Sequence, residues 1–221
     1  MIAIISDIHG NFPALQAVLS EIDALGCEEI ISLGDVAGYY CMVNECIDML
    51  RDRNILNLMG NHDMYLLSGK GCPRSNSANV CLSYQKRVIT AENLRWLRQS
   101  PMVYSLNNSY MVHGGLINPL DEYLYHVTEK YFAHRTERFF FSGHTHIQMI
   151  VRFLEKVYCN PGSVGQPRDG DCRAAFAVLD NDIITLKRVQ YDIDEIACRM
   201  REAQFDEYFY KNLYNGLPIG G

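Results

Sequence analysis

Nowhere does the sequence run to the roughly 18 consecutive apolar residues of a membrane-spanning helix, and basic residues are outnumbered. Its 20 Lys and Arg face 26 Asp and Glu, for a net charge of −6. The first shortage excludes a helix crossing a bilayer. The second excludes the broad basic surface by which proteins hold nucleic-acid backbones, while leaving room for a small phosphorylated molecule at a local positive site. No CxxC pair occurs among the eight cysteines, so reduced and mostly buried thiols are expected; a zinc site on Cys72 and Cys81 is only weakly supported by their spacing. The opening "MIAIISDIHG" is too short and lacks the basic leader of a secretion signal, which makes the cytoplasm the expected address. Low-complexity tracts, internal repeats and linkers are also missing. The reading is therefore a single domain over residues 1–221, large enough for a substantial core.

What is present is an alternation of short apolar runs and amphipathic stretches. Ile2 to Ser6 reads as a buried strand, and "FPALQAVLSEIDALG" as a helix with Leu15, Val18, Leu19, Ile22 and Leu25 on one face, Pro13 in its first turn and Gly26 at its end. "EEIISLGD" predicts a second strand, "VNECIDMLRDRN" a second helix, and "ILNLMGNHD" a third strand ending in a polar loop. This is the order of parallel βαβ units. Residues 64–101 read as helical and irregular, with "SGKGCPRSNSANV" as a loop and "AENLRWLRQ" as a short helix. "SYMVHGG" and "RFFFSGHTH" repeat the strand-to-polar-loop design; "KVYCNPGSVG", "AAFAVLD" and "IITLKRVQYD" read as strands, with "DND" as a hairpin connection. A helix from about Ile193 to Asn212 closes the chain. Segments 64–101 and 119–135 are expected to form a cap.

The polar residues that end these apolar runs are Asp7, His9, Asp35, Asn61, His62, His113, His144 and His146, and they include five of the seven His in the chain. In open α/β sheets, loops at the carboxyl ends of strands converge, so eight side chains are expected to meet. That is too many for one tetrahedral zinc and suits two divalent cations, with one bridging carboxylate holding them about 3.5–4 Å apart. Imidazole with carboxylate favours Zn, Fe or Mn over Ca, and the set lacks a thiolate. Two carboxylates against two divalent ions leave a site charge of about +2, attractive to phosphate in an otherwise acidic protein.

"DIHGN" (7–11), "GD" (34–35), "GNHD" (60–63), "HG" (113–114) and "GHTH" (143–146) resemble, in order, the five blocks of the calcineurin-like metallophosphoesterases. "NPGSVGQPRDGD" (160–171) is similar to a segment of their small bacterial and archaeal phosphodiesterase-like branch. The resemblance implies a four-layer αββα sandwich of two mixed β-sheets flanked by helices. It implies that Asp7, His9 and His146 bind one metal and Asn61, His113 and His144 the other, with Asp35 bridging. His62 would face the leaving-group oxygen or a phosphoryl oxygen as the catalytic imidazole, and the ions would be Mn, Fe or Zn, Mn favoured. The implied activity is attack of a metal-bound hydroxide on a phosphate ester, as a phosphodiesterase or nucleotide phosphohydrolase. The alternatives are a phosphomonoesterase, protein phosphatases included, or a non-catalytic interaction module, which the full ligand set disfavours.

Several residues keep two readings. Asp63 either orients His62, as a catalytic partner, or hydrogen-bonds the loop backbone, the latter preferred. Asn11 either contacts phosphate or caps the helix carrying Pro13. Arg168, ahead of Arg173, is the candidate phosphate clamp. Tyr39 or Tyr40 either stacks on a substrate or packs beneath the cap. His126 and His134 read as surface or cap residues. Two departures from the resembled family stand out. Gly38 occupies the place where the protein Ser/Thr phosphatases carry an acid supporting the catalytic His, and "GYYCMVNE" lacks the branch's Gly-Pro pair.

Overall fold

The computed structural model describes residues 1–220. Three parallel strands, β1 (Ile2–Ile5), β2 (Glu29–Ser32) and β3 (Leu56–Asn57), are joined through α1 (Phe12–Leu25) and α2 (Val43–Asp52). The order beyond is α3 (Asn61–Ser68), α4 (Asn76–Val88), α5 (Ala91–Leu97), β4 (Val103–Leu106), β5 (Ser109–Val112), β6 (Phe139–Phe141), β7 (Gln148–Arg152), β8 (Val157–Pro161), β9 (Ala174–Asp180), β10 (Ile183–Val189) and α6 (Ile193–Glu202). One mixed sheet runs β10-β9-β1-β2-β3 and the other β4-β5-β6-β8-β7. In the second sheet β5, β6 and β8 are parallel and the two edge strands antiparallel.

Side-chain alternation builds the layers. Ile4, Ile31 and Ala177 of the first sheet meet Met111, Phe139, Phe141 and Cys159 of the second, so the sheets pack face to face. Ala3, Ile5 and Phe176 point the other way, onto Leu15, Val18 and Ile22 of α1 and Ile47 and Leu50 of α2. The outer face of the second sheet, through Phe140 and Tyr158, is covered by Leu124 and Phe132. Phe132 belongs to a 3-10 turn at Glu129–Phe132. The expected α/β sandwich of two mixed sheets is what forms.

Details differ from the sequence reading where local geometry decides. The third strand shrinks to two residues, and Asn61, His62 and Asp63 lie in the first turn of α3 rather than in a loop. Part of the expected loop 68–80 is helix, because the Ser75 hydroxyl accepts from the Ala78 N–H at 3.1 Å and starts α4. The last helix stops at Glu202, where Gln204 turns left-handed (φ 64°), and two 3-10 turns, Glu207–Phe209 and Lys211–Asn215, follow. β4 and β7, edge strands with half-exposed faces, were not anticipated. The hairpin at Asn181 and Asp182 has φ of 47° and 65°, as a two-residue primed turn requires.

The segment after β8 runs against the end of β1: Val164 N–H donates to Ser6 O at 2.9 Å and Gly165 N–H to Asp7 O at 3.0 Å. A Cβ on Gly165 would stand 1.8 Å from Ile8 O. Gly165→Ala is therefore expected to lower unfolding free energy by about 1–3 kcal/mol, read from urea denaturation; an unchanged midpoint would show the contact to be looser than drawn.

Candidate metal centre and catalytic cavity

The loops after β1 and β2 run side by side. Asp7 N–H donates to Gly34 O (3.0 Å), His9 N–H to Asp35 O (2.9 Å) and Gly10 N–H to Val36 O (2.8 Å). Asp7, His9, Asp35, His144 and His146 all sit in left-handed backbone, with φ between 53° and 66°, and make up five of the ten non-glycine residues with positive φ among those described. Such conformations cost about 1–3 kcal/mol each and collect at functional sites. They turn the side chains out of the strand direction and toward one another.

Two groups result, Asp7–His9–His146 and Asp35–His113–His144, all buried. Three imidazoles are fastened by Nδ1 to backbone carbonyls: His9 to Ala37 O (2.8 Å), His113 to Leu33 O (3.0 Å) and His146 to Gln166 O (2.6 Å). Donation from Nδ1 turns Nε2 of each ring inward, the usual arrangement of metal-ligating His. His9 Nε2 and His146 Nε2 then stand 3.0 Å apart, two acceptors aimed at the same space. Two ligands at about 2.1 Å from a shared cation, at right angles, are separated by about 3 Å. Asp35 Oδ2 lies 3.8 Å from His9 Nε2 and 3.3 Å from His113 Nε2, within reach of both groups. Asn61 Oδ1 is 2.9 Å from His113 Nε2. The structure thus gathers all seven residues expected as ligands.

Asp7 Oδ1 and Asp35 Oδ2 are buried without a hydrogen-bond partner. An unpaired buried carboxylate oxygen is costly unless a cation meets it, and carboxylate, amide and imidazole are a donor set that divalent cations accept. The residues therefore fit divalent ions: each of the two groups could hold one, and Asp35 lies within reach of both. Burial works to raise the carboxyls of Asp7 and Asp35, yet neighbouring imidazoles hold both well below the usual range. Burial pushes His9 and His146 down. It opposes protonation of His113 too, but Asp35 beside it prevails and raises that imidazole to about 9.

His62 lines a cavity of about 210 Å³ together with Tyr39, Arg74, Tyr123 and Arg168. Its Nδ1 has no partner, its ring centroid lies 5.0 Å from those of His9 and Tyr39, and burial lowers its pKa to about 4. Arg168 gives Nε and Nη2 to Gln166 Oε1 (3.0 and 2.6 Å) and lies 5.4 Å over the Tyr39 ring. Among the described residues it forms no ion pair with a carboxylate in the way that Arg74, Arg173 and Arg188 do. Arg173 pairs with Asp171 instead of facing the cavity.

Two of the expected site residues do other work. Asp63 accepts from Asp35 N–H (2.9 Å), Gly60 N–H (3.1 Å) and Ala37 N–H (2.9 Å), and leaves His62 Nδ1 unpartnered. It clamps the loop bearing Asp35 and is not a catalytic partner of His62. Burial and Asp35 push its carboxyl up to about 7, against the pull of the amides. Asn11 accepts from Ala14 N–H (3.3 Å) and donates to Gly165 O (2.9 Å) and Tyr191 (3.2 Å). Both its polar atoms are committed, so it caps α1 and does not line the cavity.

Tyr39 faces the site, whereas the Tyr40 hydroxyl accepts from Gln166 and Asn212 in the interior. His126 and His134 are exposed, and no cysteine joins a metal-ligand group among the described residues. Arg74, Ser75, Ser77 and Tyr123 line the cavity from the two segments expected as a cap, while Pro218 and Ile219 reach it with no mark in the sequence. Of the expected cap, α5 packs on α2 and contributes nothing to this wall.

A buried set of carboxylates and imidazoles beside a guanidinium that meets no carboxylate among the described residues, at the loop end of a two-sheet sandwich, defines a hydrolase of phosphoric esters. The chain belongs to the calcineurin-like phosphoesterase superfamily, whose domain model matches residues 1–182. It is 33% identical to an uncharacterized protein of Methanocaldococcus jannaschii, over 98% of each chain. It is 25% identical to the phosphodiesterase YfcE of Escherichia coli, over 82% of this chain and 88% of that one. The crystal structure of a metallophosphoesterase from Sphaerobacter thermophilus superposes with a TM-score of 0.86 at 32% identity, covering 97% of this chain and 98% of that one.

Asp35→Asn removes charge from the one carboxylate within reach of both groups. It is expected to reduce bound divalent metal from two ions per chain to fewer than one, measured by elemental analysis after dialysis; a retained pair would refute the shared position.

Proposed function

We propose that the protein is a dimetal-dependent phosphodiesterase or nucleotide phosphohydrolase, with manganese the favoured ion and the cytoplasm its place of action. The observation that carries this reading is Asp35, whose one carboxylate oxygen reaches both imidazole groups. When bound, the two cations supply positive charge to phosphoryl oxygens and lower the pKa of a water.

The chain's own residues do the rest. Asp7, His9 and His146 would hold one ion and Asn61, His113 and His144 the other, with Asp35 within reach of both. Arg168 binds a phosphate oxygen with the guanidinium face not committed to Gln166. His62, kept neutral by burial, offers its ring N–H to the leaving-group oxygen. Tyr39 and Tyr123, with Pro218 and Ile219, limit the space for the ester substituent and exclude water from it. The chain acts as one domain in this reading, its cap drawn from Cys72 to Ser77 and from Tyr123.

Two features support a diester over the protein phosphatase alternative. A Cβ on Gly38 would fall 2.0 Å from His9 Nδ1, and φ there is +142°, so this loop has no room for an acid behind His62. The cavity beside His62 leaves space for a second substituent, and the relative YfcE is itself a phosphodiesterase. All eight cysteines are free thiols, which supports a reducing compartment, and no helix is long and apolar enough to cross a membrane.

The test is turnover of bis-p-nitrophenyl phosphate and p-nitrophenyl phosphate by protein loaded with Mn²⁺, and by the same protein stripped with chelator. Metal-dependent hydrolysis, faster on the diester, is expected; no metal-dependent turnover of either compound or of a nucleotide panel would overturn the reading. His62→Ala is expected to keep both ions and lose about 10²–10⁴-fold in kcat, and an unchanged kcat would remove that role.

A further inference from the structure

The loop that leaves β5 doubles back on itself. Gly114 N–H donates to Pro119 O (2.7 Å), Gly115 N–H to Asn118 O (3.0 Å), and Asn118 Oδ1 accepts from the N–H groups of Leu120 and Asp121 (both 3.1 Å). This fold-back carries Asp121, which belongs to neither ligand group, to within 3.3 Å of His144, Oδ1 to Nε2.

His144 differs from the other three imidazoles of the centre. They give Nδ1 to a carbonyl and turn Nε2 inward. His144 has no carbonyl on its ring; its Nε2 is turned to Asp121, is buried, and finds no aligned hydrogen-bond partner. The side chain is 3% exposed, and an unmet N–H at that depth costs about 1–3 kcal/mol. The remaining nitrogen, Nδ1, is the one left for the group it forms with Asp35 and His113. Asp121 is held from its other side. Arg74, in the turn before α4, donates Nη1 to Oδ2 at 2.9 Å and Nη2 to Oδ1, and the Tyr65 hydroxyl lies 3.5 Å from Oδ2. Two residues on, Tyr123 lays its ring over His144 with centroids 3.9 Å apart.

We propose that Asp121 is a positioning residue for the second metal site: it accepts the proton-bearing Nε2 of His144 and so leaves the Nδ1 lone pair to a cation. A carboxylate behind a ligating imidazole fixes its tautomer and orientation and raises its basicity. Arg74 holds that carboxylate in place through two hydrogen bonds, which ties the wall of the cavity to the ligand set. This assignment rests on the dimetal reading above.

The experiment uses the full chain and two readouts. Long-range ¹H–¹⁵N spectra of Zn²⁺-loaded wild type are expected to show the proton of His144 on Nε2, and those of His9, His113 and His146 on Nδ1; a proton on His144 Nδ1 overturns the proposal without any variant. Calorimetric titration with Mn²⁺ is expected to show one of two cations weakened about 10–100-fold in Asp121→Ala and the other unmoved, with Asp121→Asn recovering part of the loss. In the His144→Ala background, Asp121→Ala should add nothing, because it acts through that ring. Wild-type affinity for both ions in Asp121→Ala, or a loss that adds to that of His144→Ala, overturns the proposal and leaves the dimetal reading standing. A wild type that takes up no cation removes both.

Discussion

Two carboxylate oxygens, Asp7 Oδ1 and Asp35 Oδ2, are buried in this protein without a hydrogen-bond partner among the described residues and with only imidazoles beside them, and the rest of the molecule is arranged around that fact. The imidazoles nearest to them are denied the choice of turning away, because carbonyls of Leu33, Ala37 and Gln166 hold their outer nitrogens. Those carbonyls belong to loops that follow strands, and the loops are pinned in turn by Asp63 and by the ladder of N–H donors running from Asp7 to Gly10. Lone pairs are thus pressed together by the fold. Divalent cations, which the superfamily implies, would meet those atoms, and their charge would draw a phosphate into an acidic protein.

Much of this was legible beforehand. The periodicity of "FPALQAVLSEIDALG" set α1 to within a residue, and the residues gathered at the candidate centre were legible because each follows an apolar run. What escaped detection has physical reasons. β4 and β7 are edge strands whose partly exposed faces break any apolar run. Asn61 and His62 read as loop residues because a two-residue β3 leaves almost no strand signal before α3 begins. Asp121 sits in "NPLDEY", an ordinary turn sequence; only the fold-back onto Gly114 brings it beside His144, and that is a tertiary event with no local mark. The same holds for Pro218 and Ile219, which reach the cavity from the far end of the chain.

Asp63 and Asn11 carry a related lesson. Both stand inside the blocks that resemble the superfamily, and both have the chemistry for catalysis or phosphate binding. Counting their hydrogen bonds decides otherwise, since every polar atom of Asn11 and both oxygens of Asp63 are already engaged with neighbours that hold the loops in place. Membership of a motif and contact with substrate are separate properties, and the second is read from unsatisfied atoms.

The left-handed backbone at Asp7, His9, Asp35, His144 and His146 separates two decisions that metal sites usually make together. The direction in which each side chain leaves the backbone is set by main-chain torsion, held by the hydrogen bonds between the paired loops. Which element is preferred is dictated by the side chain alone. A frame of this kind can trade one donor for another and change its affinity between hard and soft ions while the place it offers them beside the cavity stays as it was.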